Sequence, residues 1–558
     1  MHATGINHMI ASIQRSLSNA ILIIFALSIA LLYLQYNHQR FADDSFITFR
    51  YAQNLAEGYG LRFNPEENHY GSTAMGMAIL LGGLSYLADI AFHHSILVKG
   101  QIATHGVLIP IFASMFSAAS IGLTTALIFL AGRRTVGDLG AWPITIIFSL
   151  ILVTTGYIQM VSGHETLIYL ALLFFAAYLA FFLIRPVSAG LVLALATTIR
   201  PDSILMFLIV AALMAIHTIA AENKRDQALQ LLKLSIAFAA AFLSWLLFCK
   251  LYFGQALPET MLAKQAQIIL GHWETYRLGL VAEKATHNLG WILSATQLLL
   301  ISAAFGLTII SSKRIRDLVA MPITLLLTAL LLFGFGQALF YHLIGVTVWP
   351  WYITPIAYTL IVSGALSAFI ALHSLSNPGL IRKSATVILI ISAVLLSIKG
   401  PEISSRTDWM LRTENINHHV FSYDGVVQYL RREEPNGCSV ATAEPGALGF
   451  KLGPKYRVID ELGLSSPDVA KQITLGNMDY PFETWHPDYV IVSWQGKYSP
   501  DNRPWFKDKY ELATEIPHQF WQERLGRGVL LYKRRESDLS QKKPESLNTM
   551  TQSLEFNS

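Results

Sequence analysis

Apolar residues run in blocks of about twenty along most of the first 400 positions, separated by short polar stretches. A helical block of that length, at about 1.5 Å per residue, spans the roughly 30 Å hydrocarbon core of a bilayer. Candidate spans fall at about 20–37, 102–131, 139–158, 165–184, 187–199, 202–220, 232–253, 289–311, 319–344, 351–372 and 384–399. A glycine-rich apolar stretch at 74–92 is ambiguous by length, and the basic clusters resolve it. Positive residues flanking spans mark the cytoplasmic side. Arg15, Arg133/Arg134, Arg185, Lys224/Arg225, Lys313/Arg314/Arg316 and Arg382/Lys383 share one side only if 74–92 does not cross. The pattern predicts a polytopic α-helical membrane protein with about 11 transmembrane helices, a juxtamembrane helix at 74–92, a cytoplasmic N-terminus and an external C-terminus.

Beyond residue 400 the pattern changes. "SVATAEPGALGF", "YRVIDELG", "PDYVIVSW" and "GVLLYKRR" are short β-rich runs with turn signals between them, which predict strands of a small α/β domain. The tail is polar and aperiodic, the composition of a disordered segment. The expected organisation is a transmembrane domain at 1–399, an extracytoplasmic α/β domain at 400–535 and a disordered tail at 536–558. No repeat at solenoid periods is present.

Composition agrees with this division. The chain is 53% hydrophobic and 14% charged, against about 25% charged in soluble domains. The first apolar run lacks an A-x-A-like end and reads as an uncleaved anchor. A net charge of +4 over 558 residues gives no argument for nucleic acid. Cys249 lies in an apolar segment and Cys438 in a polar one, so the two build neither a disulfide framework nor a cysteine zinc site.

The predicted topology gathers the unusual polar residues on the outward face. "FADDSFITFRYAQNLAEG" places Asp43 and Asp44 directly after the first span, where Ile47, Tyr51 and Leu55 repeat at helical spacing and Gly58 can end the helix. One aspartate can cap that helix. Adjacent helical residues point about 100° apart, so the other faces elsewhere, where it can deprotonate a hydroxyl or hold a divalent cation. "SGHETL" puts His164 and Glu165 at the outer start of a span, either as a Ser162-capped acidic first turn or as a wall for a polar substrate. The span 187–199 is too short to cross, which leaves Arg200 below the outer surface in protein or a water-filled cavity. Arg200 and Asp202 form a buried ion pair across a broken helix, or Arg200 offers its fork to phosphate. Lys264 in the outer loop is a snorkelling residue or a cation for an anionic ligand. In "VWPWYITP", Trp351 and Tyr352 belong to an interfacial aromatic belt or to a sugar-stacking platform. No histidine cluster of ligand spacing demands a metal.

At these residues the sequence resembles the polyprenyl-phosphate-dependent GT-C glycosyltransferases, and most closely the branch of mycobacterial-type arabinofuranosyltransferases. The matching stretches are "DDSFITFRYAQNLAEGYGLRFNP", "SGHETLIYLALL", "TTIRPDSILM", "FGQALPETMLAK", "PWYITP" and "GALGFKLG…VIDELGLSSPDVA", in order from about 40 to 490. It departs from the family pattern where Glu66, Glu67 and Asn68 replace a glycine and a basic residue, where "STAMG" replaces a small-Pro-Leu-Trp entry, and where "RPD" replaces Arg-Pro-Glu. Acceptor identity is what these departures bear on. The resemblance implies a polyprenyl-phosphate sugar donor, plausibly carrying a pentofuranose such as arabinofuranose, and an extracytoplasmic glycan or protein acceptor. It implies an inverting reaction at the inner (plasma) membrane, with the catalytic base at Asp43 or Asp44. Arg200 and Lys264 would steady the leaving phosphate. No residue pattern demands a cofactor, and a divalent cation could assist the reaction. A transporter or flippase of a lipid-linked sugar is the alternative, and it would need a path through the midplane and commonly internal repeats. A third reading is a docking protein that uses the outer domain.

Overall fold

A computed structural model describes residues 2–37, 41–92, 104–220, 222–271, 275–280, 321–374, 422–493, 499–518, 521–522 and 526–535. Helix α1 (His2–Asn37) leads into α2 (Asp43–Ala56), α3 (Met75–Phe92) and α4 (Thr104–Thr154). Within α4, Gly137 takes φ 77 and ψ 170, so two helices meet there, matching the expected break between 131 and 139. Then follow α5 (Gly156–Met160), α6 (Glu165–Phe181), α7 (Pro186–Ile199), α8 (Ile204–Ala220), α9 (Lys224–Phe253), α10 (Thr260–Leu270), α11 (Pro322–Ile344) and α12 (Pro350–Ser374). Among the described residues six helices are long and apolar enough to cross a membrane, and α3, α6 and α7 are shorter apolar ones. The spans expected at 289–311 and 384–399, their basic clusters, residues 400–421 and the tail lie outside the described residues.

The helices sort into two ends. At one, Arg133 Nη1 donates to Asn19 Oδ1 at 2.6 Å, Arg134 Nη1 donates to Phe182 O at 2.8 Å, and His373 Nδ1 lies 2.9 Å from Thr135 O. At the other, Ser162 Oγ donates to Asn37 O at 3.0 Å and Thr354 Oγ1 to Tyr157 O at 3.0 Å. Arg133 beside Asn19 and Gly122 against Ala26 make α1 and α4 antiparallel. Helix α1 therefore ends where α4 begins, and α3 makes no net crossing between them. Along α9, Leu243, Leu247 and Leu251 form an exposed i, i+4, i+8 stripe, the side such a helix turns to lipid. Its opposite side meets α7 closely, for a Cβ on Gly190 would lie 2.5 Å from Leu234 O.

The C-terminal domain, the outer domain of the predicted topology, contains α13 (Asp424–Glu433), α14 (Pro445–Leu452) and α15 (Pro467–Thr474). Its strands are β1 (Ser439–Thr442), β2 (Arg457–Asp460), β3 (Tyr489–Val492), β4 (Tyr510–Ile516) and β5 (Val529–Arg534), in the order β2-β1-β3-β5-β4. β1 pairs parallel with β2 and β3; β5 pairs antiparallel with β3 and β4. Helix α14 is the β1-to-β2 crossover, as a parallel pair requires. It packs on α2, where Phe450 meets Phe46 and Phe49 at ring distances of 5.5 and 5.9 Å. The domain is thereby seated directly on α2.

Candidate functional site

Helix α2 has Ala42 at its N-cap position without a capping side chain, and ends ahead of Gly58, which takes φ 87. The expectation that an aspartate caps this helix is therefore corrected. Asp43 reaches across to the outer domain instead. Its Oδ1 accepts the Ala447 N–H at 2.7 Å and its Oδ2 the Gly446 N–H at 3.1 Å. Asp44 points the other way, into a cavity of about 440 Å³.

Of the residues singled out from sequence, Asp44, His164, Glu165, Arg200, Asp202, Lys264, Trp351 and Tyr352 all line that cavity, and Asp43 does not. They arrive from α2, the start of α6, the α7–α8 break, α10 and the start of α12. The cavity's polar lining includes Asp44, Ser72, Thr73 and His164, and its apolar lining includes Ile204, Leu257, Phe340 and Ile344, of which Leu257 is 61% exposed.

Arg200 takes extended backbone between α7 and a 3₁₀ turn, Pro201–Ser203. Its Nε and Nη2 each donate to Asp202 at 3.2 Å, its Nη1 to Glu165 Oε1 at 3.2 Å, and its Nη2 to Tyr341 Oη at 2.8 Å. Asp202 also accepts from Gln337 Nε2 at 2.5 Å and from the Tyr341 hydroxyl. The ion-pair reading thus describes the arginine's contacts, although its guanidinium also borders the cavity. Lys264 differs. Its Nζ lies 5.7 Å from the centre of the Tyr352 ring, with Gln267 Oε1 at 3.5 Å. Among the described residues no carboxylate lies within ion-pair distance of it.

His164, not Ser162, occupies the N-cap position of α6, and Ser162 donates elsewhere; the Ser162 cap is also corrected. The His164 ring stacks on Trp351 at 5.2 Å and 18°, and Trp351 stacks on Trp349 at 5.3 Å. Burial, reinforced by the Arg200 charge, pushes the imidazole down to about 3 and keeps it neutral. Its Nδ1 lies 3.0 Å from Glu165 Oε2 and 2.8 Å from Thr166 Oγ1. Burial raises the Asp44 carboxyl above its ordinary value, against the opposing charge of Lys264. Among the described residues no three His, Cys, Asp or Glu side chains form a metal-ligand group.

Sequence reasoning passed over several residues. Gln337 and Tyr341, four apart on α11, hold Asp202 from the opposite wall. Their signal was a polar pair inside an apolar span. Arg50, fully buried in α2, was read only as part of a helix. The departures at 66–68 have a structural account: Glu67 pairs with Arg457 of β2 at 2.8 Å, and Asn68 Nδ2 donates to Tyr252 O at 2.6 Å. They tie the loop to the outer domain and to α9.

The family described as Domain of unknown function (DUF8728) matches residues 413–535. No curated protein matches the chain by sequence. Among solved structures the chain is similar to ArnT from Cupriavidus metallidurans bound to undecaprenyl phosphate. That likeness has 13% identity over 92% of this chain and 97% of that one, with a TM-score of 0.50. The apo state of ArnT matches at 12% identity, the same coverage and the same TM-score. An Archaeoglobus fulgidus oligosaccharyltransferase tethered with an acceptor peptide matches at 12% identity, 85% of this chain, 69% of that one and a TM-score of 0.47. At such identities the likeness to ArnT bears on fold: the chain is a multi-pass membrane protein of GT-C-like architecture with a C-terminal α/β domain.

Proposed function

We propose that this protein is a glycosyltransferase that moves a sugar from a polyprenyl-phosphate donor to a hydroxyl of an external glycan or protein. One observation carries the reading: a single cavity is lined by a carboxylate, Asp44, by an ammonium, Lys264, that has no carboxylate within ion-pair distance among the described residues, and by apolar side chains of α8 and α11. A lipid-borne phosphate needs the cation and the apolar side. A hydroxyl nucleophile needs the base. A protein of the same fold binds undecaprenyl phosphate, which supports the lipid half.

The step is an inverting displacement. The acceptor oxygen bonds to the anomeric carbon while its proton passes to Asp44. The bond from that carbon to the phosphate oxygen breaks, and its electron pair leaves with polyprenyl phosphate. Lys264 stabilises the departing charge, with Arg200 behind it, and placement supplies much of the acceleration. The stacked His164 and Trp351 rings, with Tyr352 tilted beside them, offer an aromatic wall for the sugar, and Glu165 and Asp202 hold Arg200 in place. A pentofuranose donor, of the arabinofuranosyl kind, rests on the sequence resemblance.

The test is conversion of purified protein with a polyprenyl-phosphate pentofuranose, reading release of polyprenyl phosphate. Release that depends on both an acceptor and Asp44 supports the proposal. Movement of intact lipid-linked sugar across a vesicle membrane without release would replace it with the flippase reading.

A further inference from the structure

Helix α14 is eight residues long, and one helix, α2, holds both its ends. Glu444, at the N-cap position of α14, makes no capping hydrogen bond; the Asp43 carboxylate accepts from Gly446 and Ala447 in its stead. At the other end Arg50 Nη1 donates to Gly449 O and, at 3.3 Å, to Gly453 O, and Nη2 donates to Tyr456 O at 2.9 Å. Arg50 also anchors the first outer loop, through Nε to Phe63 O at 2.6 Å and Nη2 to Asn64 Oδ1 at 3.2 Å.

The register is suited to this. Residues seven apart share a helix face and are separated by about 10 Å, close to the length of an eight-residue helix. A carboxylate at the N-terminus and a guanidinium at the C-terminus both oppose the α14 dipole. Arg50 is 0% exposed, and carbonyls at that negative end, rather than a paired carboxylate, compensate it. Gly446 and Gly449 permit the contact: a Cβ at the first would lie 2.1 Å from Asp43 O, and at the second 3.0 Å from Arg50 Cδ.

We propose that α14 is a splint for the helix that carries Asp44, and that Asp43 and Arg50 are positioning residues through which the outer domain fixes Asp44 at the cavity wall. This gives the domain of unknown function a task, and it rests on the reading of Asp44 as the base. The charged and titratable groups facing Asp44 are Lys264 from α10, His164 and Glu165 from α6, and Glu444 ahead of α14.

The experiment uses the full chain in nanodiscs, as wild type, Asp43→Ala, Asp43→Asn and Arg50→Lys. In Asp43→Ala, hydrogen exchange should rise together over 43–50 and 445–452. Its kcat should fall at least about tenfold, since misplacement by an ångström costs on the order of 10²-fold, while donor KM stays constant. The acid limb of kcat should move to lower pH as Asp44 gains water. Asp43→Asn, which keeps an acceptor for the α14 N–H groups, should recover most of the rate. Arg50→Lys, which keeps charge but loses the fork, should show intermediate exchange. Unchanged exchange overturns the proposal. So does a rate loss that only tracks the folded fraction with the pH midpoint unmoved. If wild type transfers no sugar, the catalytic reading falls, and the exchange result alone decides whether α14 holds α2.

Discussion

Asp43 and Asp44 are chemically identical neighbours with different tasks, because about 100° of helix rotation sends one to the outer domain and the other to the cavity. Asp44→Asn should lower transfer by about 10²- to 10⁴-fold, the contribution of a general base, with the thermal midpoint nearly unchanged. Initial rates and a melting curve check this together. A base must be deprotonated to act, and burial raises Asp44. Wild-type rate should therefore fall with decreasing pH at a midpoint above the ordinary carboxylate range. The two cations separate in the same way. Lys264→Ala should weaken binding of polyprenyl phosphate while leaving the melting temperature near wild type. Arg200→Ala strands Asp202 and Glu165 and should destabilise the fold by about 3–5 kcal/mol, as breaking a buried pair does. Stable Arg200→Ala protein with weakened lipid binding would exchange the two assignments.

At the scale of elements, the site depends on a helix that stops early. α7 has 14 residues, about 21 Å at 1.5 Å each, too short for the hydrocarbon core. Its end delivers Arg200 to the cavity floor. The position of α7 is set by its contact with α9 at Gly190. Gly190→Leu should force the two helices apart and destabilise by about 1–3 kcal/mol, read as a lower melting temperature. Lipid affinity should fall with it, because the Arg200–Glu165–Asp202 group shifts. Unchanged melting would show that the contact is not tight.

For the whole molecule the testable claim is sidedness. The basic turns meet at one end and the cavity lies at the other. Reporter fusions after Arg134 and Arg225 should read cytoplasmic, and fusions after Gly271 and Gly400 external. A cytoplasmic signal for the domain beyond 400 would place the cavity on the wrong side for an external acceptor.

Local chemistry in the sequence determined the described helices of the membrane part, the break before Arg200, the interruption between 131 and 139 and the strands of the C-terminal domain. Those features follow from apolar block length, from proline and glycine positions and from alternation, which act over a few residues. It also flagged the acidic, basic and histidine side chains that line the cavity, because charged groups beside hydrocarbon are conspicuous wherever they occur. Tertiary structure alone decided which aspartate meets the cavity, that Arg200 is ion-paired while Lys264 meets no carboxylate among the described residues, and that Gln337 and Tyr341 complete the group around Asp202. It alone decided that Arg50 and Asp43 grip a helix some 400 residues away in sequence. A helix terminus, a backbone carbonyl or a free ammonium acquires its meaning from what is packed against it, and one-dimensional spacing carries no record of that partner.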